Sequence, residues 1–181
     1  VLPFFHIYGM LVILNFALMR GATVVTMPRF DLAPFLKILQ DWPIALAHIV
    51  PPIAVGLAKH PLVDDFDVSS VRITITGAAP IDGETAAHAG ERINSRMLQG
   101  FGMTELAPVG FVIPVDRDDI PLSSVGLLLP NQQCKIVDPA TGAEIDTFGE
   151  DQQTEPGELW VKGPNVMLGY LHSGAPGVIE P

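Results

Sequence analysis

The 181-residue sequence has one cysteine, Cys134, so no internal disulfide can form. Its five histidines include no pair at the three- or four-residue spacing of a helical zinc site. A reducing, cytosolic compartment fits this composition and a structural zinc does not; a peroxisomal address is also admissible. Basic residues are scarce: ten Lys plus Arg against twenty Asp plus Glu give a net charge of -10. Such a surface repels a phosphate backbone unless its bases cluster, and these do not, which argues against nucleic acid as a partner. Neither G-x-S-x-G nor G-x-x-x-x-G-K-[ST] occurs, so a serine-hydrolase elbow and a P-loop are both excluded. No basic segment precedes the apolar run Val1 to Met19, as a signal peptide would require. Pro3, His6, Tyr8 and Asn15 interrupt that run, which argues for a buried strand and helix rather than a transmembrane segment. The start at Val1 rather than Met reads as a cut from a longer protein.

Hydrophobic residues make up 48% of the chain, ample for a core. Short β-rich runs alternate with helical patterns over the first two thirds, the pattern of a layered α/β sheet. Ala22 to Met27, Ile44 to Val50, Val71 to Thr76 and Met97 to Gln99 read as strands. Asp31 caps a helix whose Leu32, Phe35, Leu36 and Leu39 share one face, and Pro43 stops it. Pro51-Pro52 starts a second helix through Ala58, Asp82 to Ile93 is a third, and Thr104 opens a fourth. Residues 1–121 are thus expected to form an α/β subdomain and 122–181 a β-rich one. The latter has strands at Val125 to Leu129, Gln133 to Val137, Glu158 to Lys162 and Val166 to Tyr170. The acidic stretch Asp146 to Glu158 reads as a solvated loop.

Chemistry concentrates in two glycine turns between a strand and a helix. Gln99-Gly100-Phe101-Gly102-Met103-Thr104-Glu105 offers backbone amides that an anion can approach closely at a helix start. It resembles the dinucleotide pattern G-x-G-x-x-G, but Glu105 replaces the third glycine. A carboxylate beside a bare pyrophosphate costs about 4 kcal/mol per charge pair at 4 Å in an effective dielectric of 20. Glu105 therefore makes sense as a magnesium ligand, with the Thr104 hydroxyl on a phosphate oxygen and Phe101 stacked on a base. Thr76-Gly77-Ala78-Ala79-Pro80 is the second turn, and in an open α/β sheet both turns can face one crevice. His6 and Tyr8 put two polar rings into the first apolar run, and a lone histidine there reads first as a hydrogen-bonded core residue.

These segments resemble the adenylate-forming acyl-CoA synthetases, most closely the 4-coumarate:CoA ligase and luciferase-like branch. Leu2-Pro3-Phe4-Phe5-His6-Ile7-Tyr8 looks like that family's L-P-x-F-H-x-[YF], Thr76 to Pro80 its [ST]-G-[AG]-A-P, and Gln99 to Glu105 its Q-G-Y-G-M-T-E. Gly157 to Gly163, followed by Val166 to Tyr170, looks like G-E-L-x-[VI]-[RK]-G...[VI]-M-x-G-Y. The resemblance implies an acid-CoA ligase that uses ATP and Mg2+ to make an acyl-adenylate from a small-molecule carboxylic acid, then transfers the acyl group to coenzyme A. It implies His6, Thr104 and Glu105 as catalytic residues, with Glu105 on the metal and Thr104 at the ATP phosphates. Gly77, Ala78, Ala79, Gln99, Gly100, Phe101 and Gly102 would surround the nucleotide. His6, Tyr8, Gly77, Gly102, Pro108 and Val109 would line the acid pocket, and Arg29 stands near a coenzyme A contact.

Phe101 departs from the family's tyrosine yet keeps a stacking face. After Leu171 the expected D-G-W-x-x-[ST]-G-D does not follow, and an upstream phosphate loop and a C-terminal lysine domain are lacking. The piece alone is therefore expected to form no adenylate and to be the middle of a larger N-terminal domain. A luciferase-like oxidase or a peptide-synthetase adenylation domain would use the same residues. A non-catalytic nucleotide-binding relative is disfavoured by the pair Thr104 and Glu105, and a Rossmann oxidoreductase by Glu105.

Overall fold

The computed structural model describes residues 1–145 and 155–171 and the backbone of 179–180. It divides into two compact units, Val1–Leu127 and Leu128–Pro181. In the first, a π-helix Tyr8–Phe16 runs into α1 (Ala17–Met19), and a coil leads to α2 (Leu32–Asp41). There follow β1 (Leu46–Ile49), α3 (Pro51–Lys59), β2 (Ile73–Thr76), α4 (Gly83–Arg92), β3 (Arg96–Gly102), β4 (Val109–Val112) and β5 (Leu127–Leu128). The five strands form one sheet in chain order, β1, β2 and β3 parallel and β4 antiparallel to β3.

The helices begin where the sequence places their starts. The Asp31 carboxylate accepts from the Ala33 N–H at 3.2 Å and that of Asp82 from the Thr85 N–H at 2.8 Å, satisfying amides of α2 and α4 that have no partner within the helix. Pro51 and Pro52 occupy the first turn of α3, where no amide hydrogen is needed. Phe35, Leu36 and Leu39 of α2, Ile53, Ala54 and Leu57 of α3, and Ala86 and Ala89 of α4 join Ala47, Ile49 and Met97 of the sheet in one core.

Three expectations fail in this unit. Ala22 to Met27 is coil and not a strand. The segment Val1 to Met19 has no strand, and its π-helix is mostly half-buried with only Gly9 fully buried; Phe5 before it is 92% exposed and Met19 after it 74%. Thr104 opens a single 3-10 turn, Thr104–Leu106, rather than an α-helix. The reason lies in Pro108: a proline disfavours helical backbone in the residue before it, and Ala107 turns left-handed at φ 47°. Along β2, Thr74 and Thr76 are buried while Ile73 and Ile75 are half-buried. The Thr74 hydroxyl meets that of Ser95 at 2.8 Å, which makes its burial affordable.

In the second unit β6 (Gln133–Val137) lies between β7 (Glu144–Ile145) and β8 (Glu158–Lys162), antiparallel to both. β9 (Tyr170–Leu171) pairs antiparallel with β10 (Ile179–Glu180). The strand expected over Val166 to Tyr170 reduces to Tyr170–Leu171, and that over Val125 to Leu129 to Leu127–Leu128. Most of the acidic loop lies outside the described residues.

Candidate active site

The site grows from an inequality in strand length. Thr76, the last residue of β2, pairs with Gln99, and β3 continues through Gly100, Phe101 and Gly102. The overrun lies beside the Gly77 turn: a Cβ built on Gly77 would sit 3.5 Å from the Gly100 carbonyl oxygen. The same Cβ would lie 3.3 Å from Tyr8 Cε1. Tyr8, Gly77 and Gly100, far apart in sequence, are therefore neighbours at the carboxyl edge of the parallel strands, where open α/β sheets bind ligands.

The overrun is held by its antiparallel neighbour. Gly102 pairs with Val109 across a bulge between Phe101 and Gly102, and the Met103 N–H donates to the Pro108 carbonyl at 2.8 Å. A Cβ on Gly102 would fall 2.0 Å from that carbonyl oxygen. The glycine is thus required by the backbone crossing over it, a reason beyond keeping a slot open. Phe101 and Phe111 meet edge to face with ring centres 6.0 Å apart. The hairpin brings Gly102, Pro108 and Val109 together and presents the Thr104–Leu106 turn, with Leu106 buried as its anchor, Glu105 half-buried and Thr104 exposed. Gln99 is buried, its amide nitrogen donating to the carbonyls of Ile81, at 3.1 Å, and of Leu122. It ties β3 to the far side of the Gly77 turn.

Local strain and an orphan polar group mark the same edge. Ala78 and Ala107 hold left-handed backbone at φ 71° and 47°, which disfavours any residue with a Cβ by about 1–2 kcal/mol. The Thr76 hydroxyl is buried with no hydrogen-bond partner among the described residues. Ala79 is exposed beside Ala78. His6 is exposed, contrary to a core histidine; its Nδ1 accepts from the Tyr8 N–H at 3.2 Å, fixing it at the head of the π-helix. Arg29 is exposed on the coil before α2. Among the described residues no group of three His, Cys, Asp or Glu could cage a metal, and no helix is long and apolar enough to cross a membrane.

One residue was missed by sequence reasoning. His48, on β1, meets the Tyr8 hydroxyl through Nδ1 at 2.8 Å, with the rings edge to face at 5.5 Å. A polar ring inside the apolar strand read over Ile44 to Val50 was the available signal. Burial pushes the Tyr8 phenol well above its ordinary range. It pushes the His48 imidazole down to about 4. The folded protein then holds fewer protons than the unfolded chain between that value and 6.5. Stability is expected to be full above pH 6.5 and to fall as pH drops through this window, by about 3 kcal/mol in all. Urea midpoints across that range check it, with His48→Asn removing this part of the slope.

A family model described as AMP-binding enzyme matches residues 1–171. The Probable 4-coumarate-CoA ligase 1 of Dictyostelium discoideum is 43% identical over 175 residues, covering 96% of this chain and 30% of that protein. The 4-coumarate-CoA ligase 1 of Solanum tuberosum is 38% identical over 176 residues, 95% of this chain and 31% of that protein. The chain thus spans about a third of the length of these relatives. Among solved structures, ATP-bound MatB from Rhodopseudomonas palustris superposes with a TM-score of 0.79 at 28% identity, over 94% of this chain and 32% of that one. A long-chain-fatty-acid-CoA ligase from Archaeoglobus fulgidus superposes with a TM-score of 0.81 over 96% of this chain and 35% of that one; at 22% identity it shows the fold alone. The α/β fold expected from the sequence is the one these structures share.

Proposed function

Because the chain belongs to the AMP-binding enzyme family, we propose that it supplies the acid pocket and part of the phosphate site of an ATP-dependent acid-CoA ligase. The observation that carries this reading is the meeting of Tyr8, Gly77 and Gly100 at the same sheet edge as the Gly102, Pro108 and Val109 hairpin that presents Thr104 and Glu105. An acid binds alongside the Tyr8 ring, which packs on the Gly77 turn, and its carboxylate oxygen attacks the α-phosphorus of ATP. The bond to pyrophosphate breaks, leaving an acyl-adenylate; the thiol of coenzyme A then attacks the acyl carbon, losing its proton as AMP departs. Two anions must approach in the first step, so fixed donors and cations matter more than a base.

In this reading Thr104 donates its hydroxyl to a phosphate oxygen, His6 faces the reacting carboxylate, and Ala78, Ala79, Phe101 and Gly102 flank the nucleotide. Gln99 acts by holding the two loops together. Arg29 is left for coenzyme A. Glu105 and Thr104 fit a magnesium ion, since that ion is commonly held by one carboxylate together with substrate phosphates. When bound it would neutralise phosphate charge.

Acid-dependent exchange of radiolabelled pyrophosphate into ATP by the intact protein, followed by mass detection of the acyl-CoA product, tests the proposal. Exchange that needs an acid, with a thioester formed on adding coenzyme A, is expected; ATP turnover indifferent to acids would refute it. Within that assay Gly77→Val should push side-chain carbons toward Tyr8 and narrow the pocket. The expected loss in kcat/KM is greater for 4-coumarate and hexanoate than for acetate by about 1–3 kcal/mol, the scale of a few methyl groups in an apolar pocket. An equal loss for all three would assign Gly77 to backbone geometry.

A further inference from the structure

Resting on the reading of Tyr8 as an acid-pocket wall, we propose that His48 is a positioning residue that fixes the Tyr8 ring against the Gly77 turn and so sets the width of the acid pocket. Tyr8 sits at the first turn of a π-helix that is mostly half-buried, with Gly9 its one fully buried residue. His48 belongs to the sheet: it pairs with Ile75, and the next pair, Ile49 and Thr76, stands immediately before Gly77. The 2.8 Å bond between the Tyr8 hydroxyl and His48 Nδ1 therefore ties the π-helix to the strand beside the glycine turn. The edge-to-face ring contact at 87° fixes the tilt of the phenol as well as its tip.

The bond has a direction. In the wall-fixing arrangement Tyr8 donates and Nδ1 accepts, with the imidazole proton on Nε2 and both partners uncharged. With its hydroxyl so engaged, Tyr8 offers ring carbon to the pocket: its own atoms nearest a Gly77 Cβ are Cε1 at 3.3 Å and Cζ at 3.9 Å. Removing the acceptor leaves a buried hydroxyl without a partner, and the phenol turns to find one. The wall then moves, while the Thr104 and Glu105 turn, built on β3 and β4, stays.

The intact protein with His48→Leu, His48→Asn, Tyr8→Phe and the double variant Tyr8→Phe/His48→Leu provides the test, with acid and ATP varied separately in pyrophosphate exchange. His48→Leu is expected to raise the KM for 4-coumarate about tenfold, equivalent to about 1.4 kcal/mol, and to leave the KM for ATP within about twofold. His48→Asn should stay within about twofold of wild type, because its Oδ1 takes the place of Nδ1 as acceptor. In the Tyr8→Phe background His48→Leu should have no further effect. Should His48→Leu not fold, His48→Gln, whose acceptor stands one methylene farther out, replaces it and is expected to show the same acid-selective rise. Equal rises in both KM values, no rescue by His48→Asn, or an undiminished effect in the Tyr8→Phe background would each overturn the proposal. A wild-type protein that exchanges pyrophosphate with no acid would instead overturn the functional reading on which it rests.

Discussion

Glu105→Ala in the intact enzyme is expected to lower acid-dependent pyrophosphate exchange by about 10²-fold or more while the circular dichroism spectrum stays that of wild type. The size follows from the chemistry. A carboxylate attacking a phosphate must overcome repulsion between anions, and the half-buried Glu105 is the acidic side chain of the turn built at the end of β3. Losing the carboxylate removes the group that would hold a divalent cation there, a loss of several kcal/mol in transition-state stabilisation. The fold should survive because the turn is anchored by Leu106 and by the Met103 to Pro108 backbone bond, neither of which uses Glu105. Exchange near the wild-type rate in a folded variant would remove Glu105 from the metal and phosphate machinery.

Gly102→Ala is expected to destabilise the protein by about 3 kcal/mol or more and to abolish activity with every acid. Its Cβ would lie 2.0 Å from the Pro108 carbonyl oxygen and 2.9 Å from the Pro108 carbonyl carbon. Both are backbone atoms that cannot swing aside, so β3 and β4 must part at the bulge that carries the site. The neighbouring glycines supply an internal scale. Gly100→Ala meets the Phe111 carbonyl at 3.1 Å, a contact that gives by a few tenths of an ångström, and Gly77→Ala meets the Tyr8 side chain at 3.3 Å and the Gly100 carbonyl at an ordinary 3.5 Å. Urea unfolding should rank the losses Gly102, then Gly100, then Gly77. A Gly102→Ala protein as stable as Gly77→Ala would mean that the hairpin yields without cost.

Much of this was legible in local sequence because the signals were local. Asp31 and Asp82 cap helices through their own side chains, and Pro51 and Pro52 mark a first turn. The glycine turns after β2 and within β3 announce a strand end in an α/β alternation. What failed depended on partners far along the chain. Ala22 to Met27 has the residue types of a strand but no strand to pair with in the sheet. Thr74 of β2 is buried against Ser95, a partner 21 residues on that no local pattern discloses. β4 went unseen because parallel alternation does not anticipate an antiparallel return. The Tyr8 to His48 bond links residues 40 apart, so no window contained it. The shortened helix at Thr104 was, by contrast, readable from Pro108.

The most direct test of the account is a crystal structure of the intact protein bound to a non-hydrolysable acyl-adenylate analogue, 4-coumaroyl-sulfamoyl adenosine. The acyl chain is expected to lie against the Tyr8 ring where it packs on the Gly77 turn, its far end against Pro108 and Val109, with the sulfamoyl group within hydrogen-bond distance of Thr104. An analogue bound away from these residues, or one whose acyl chain makes no contact with Tyr8, would contradict this placement of the acid.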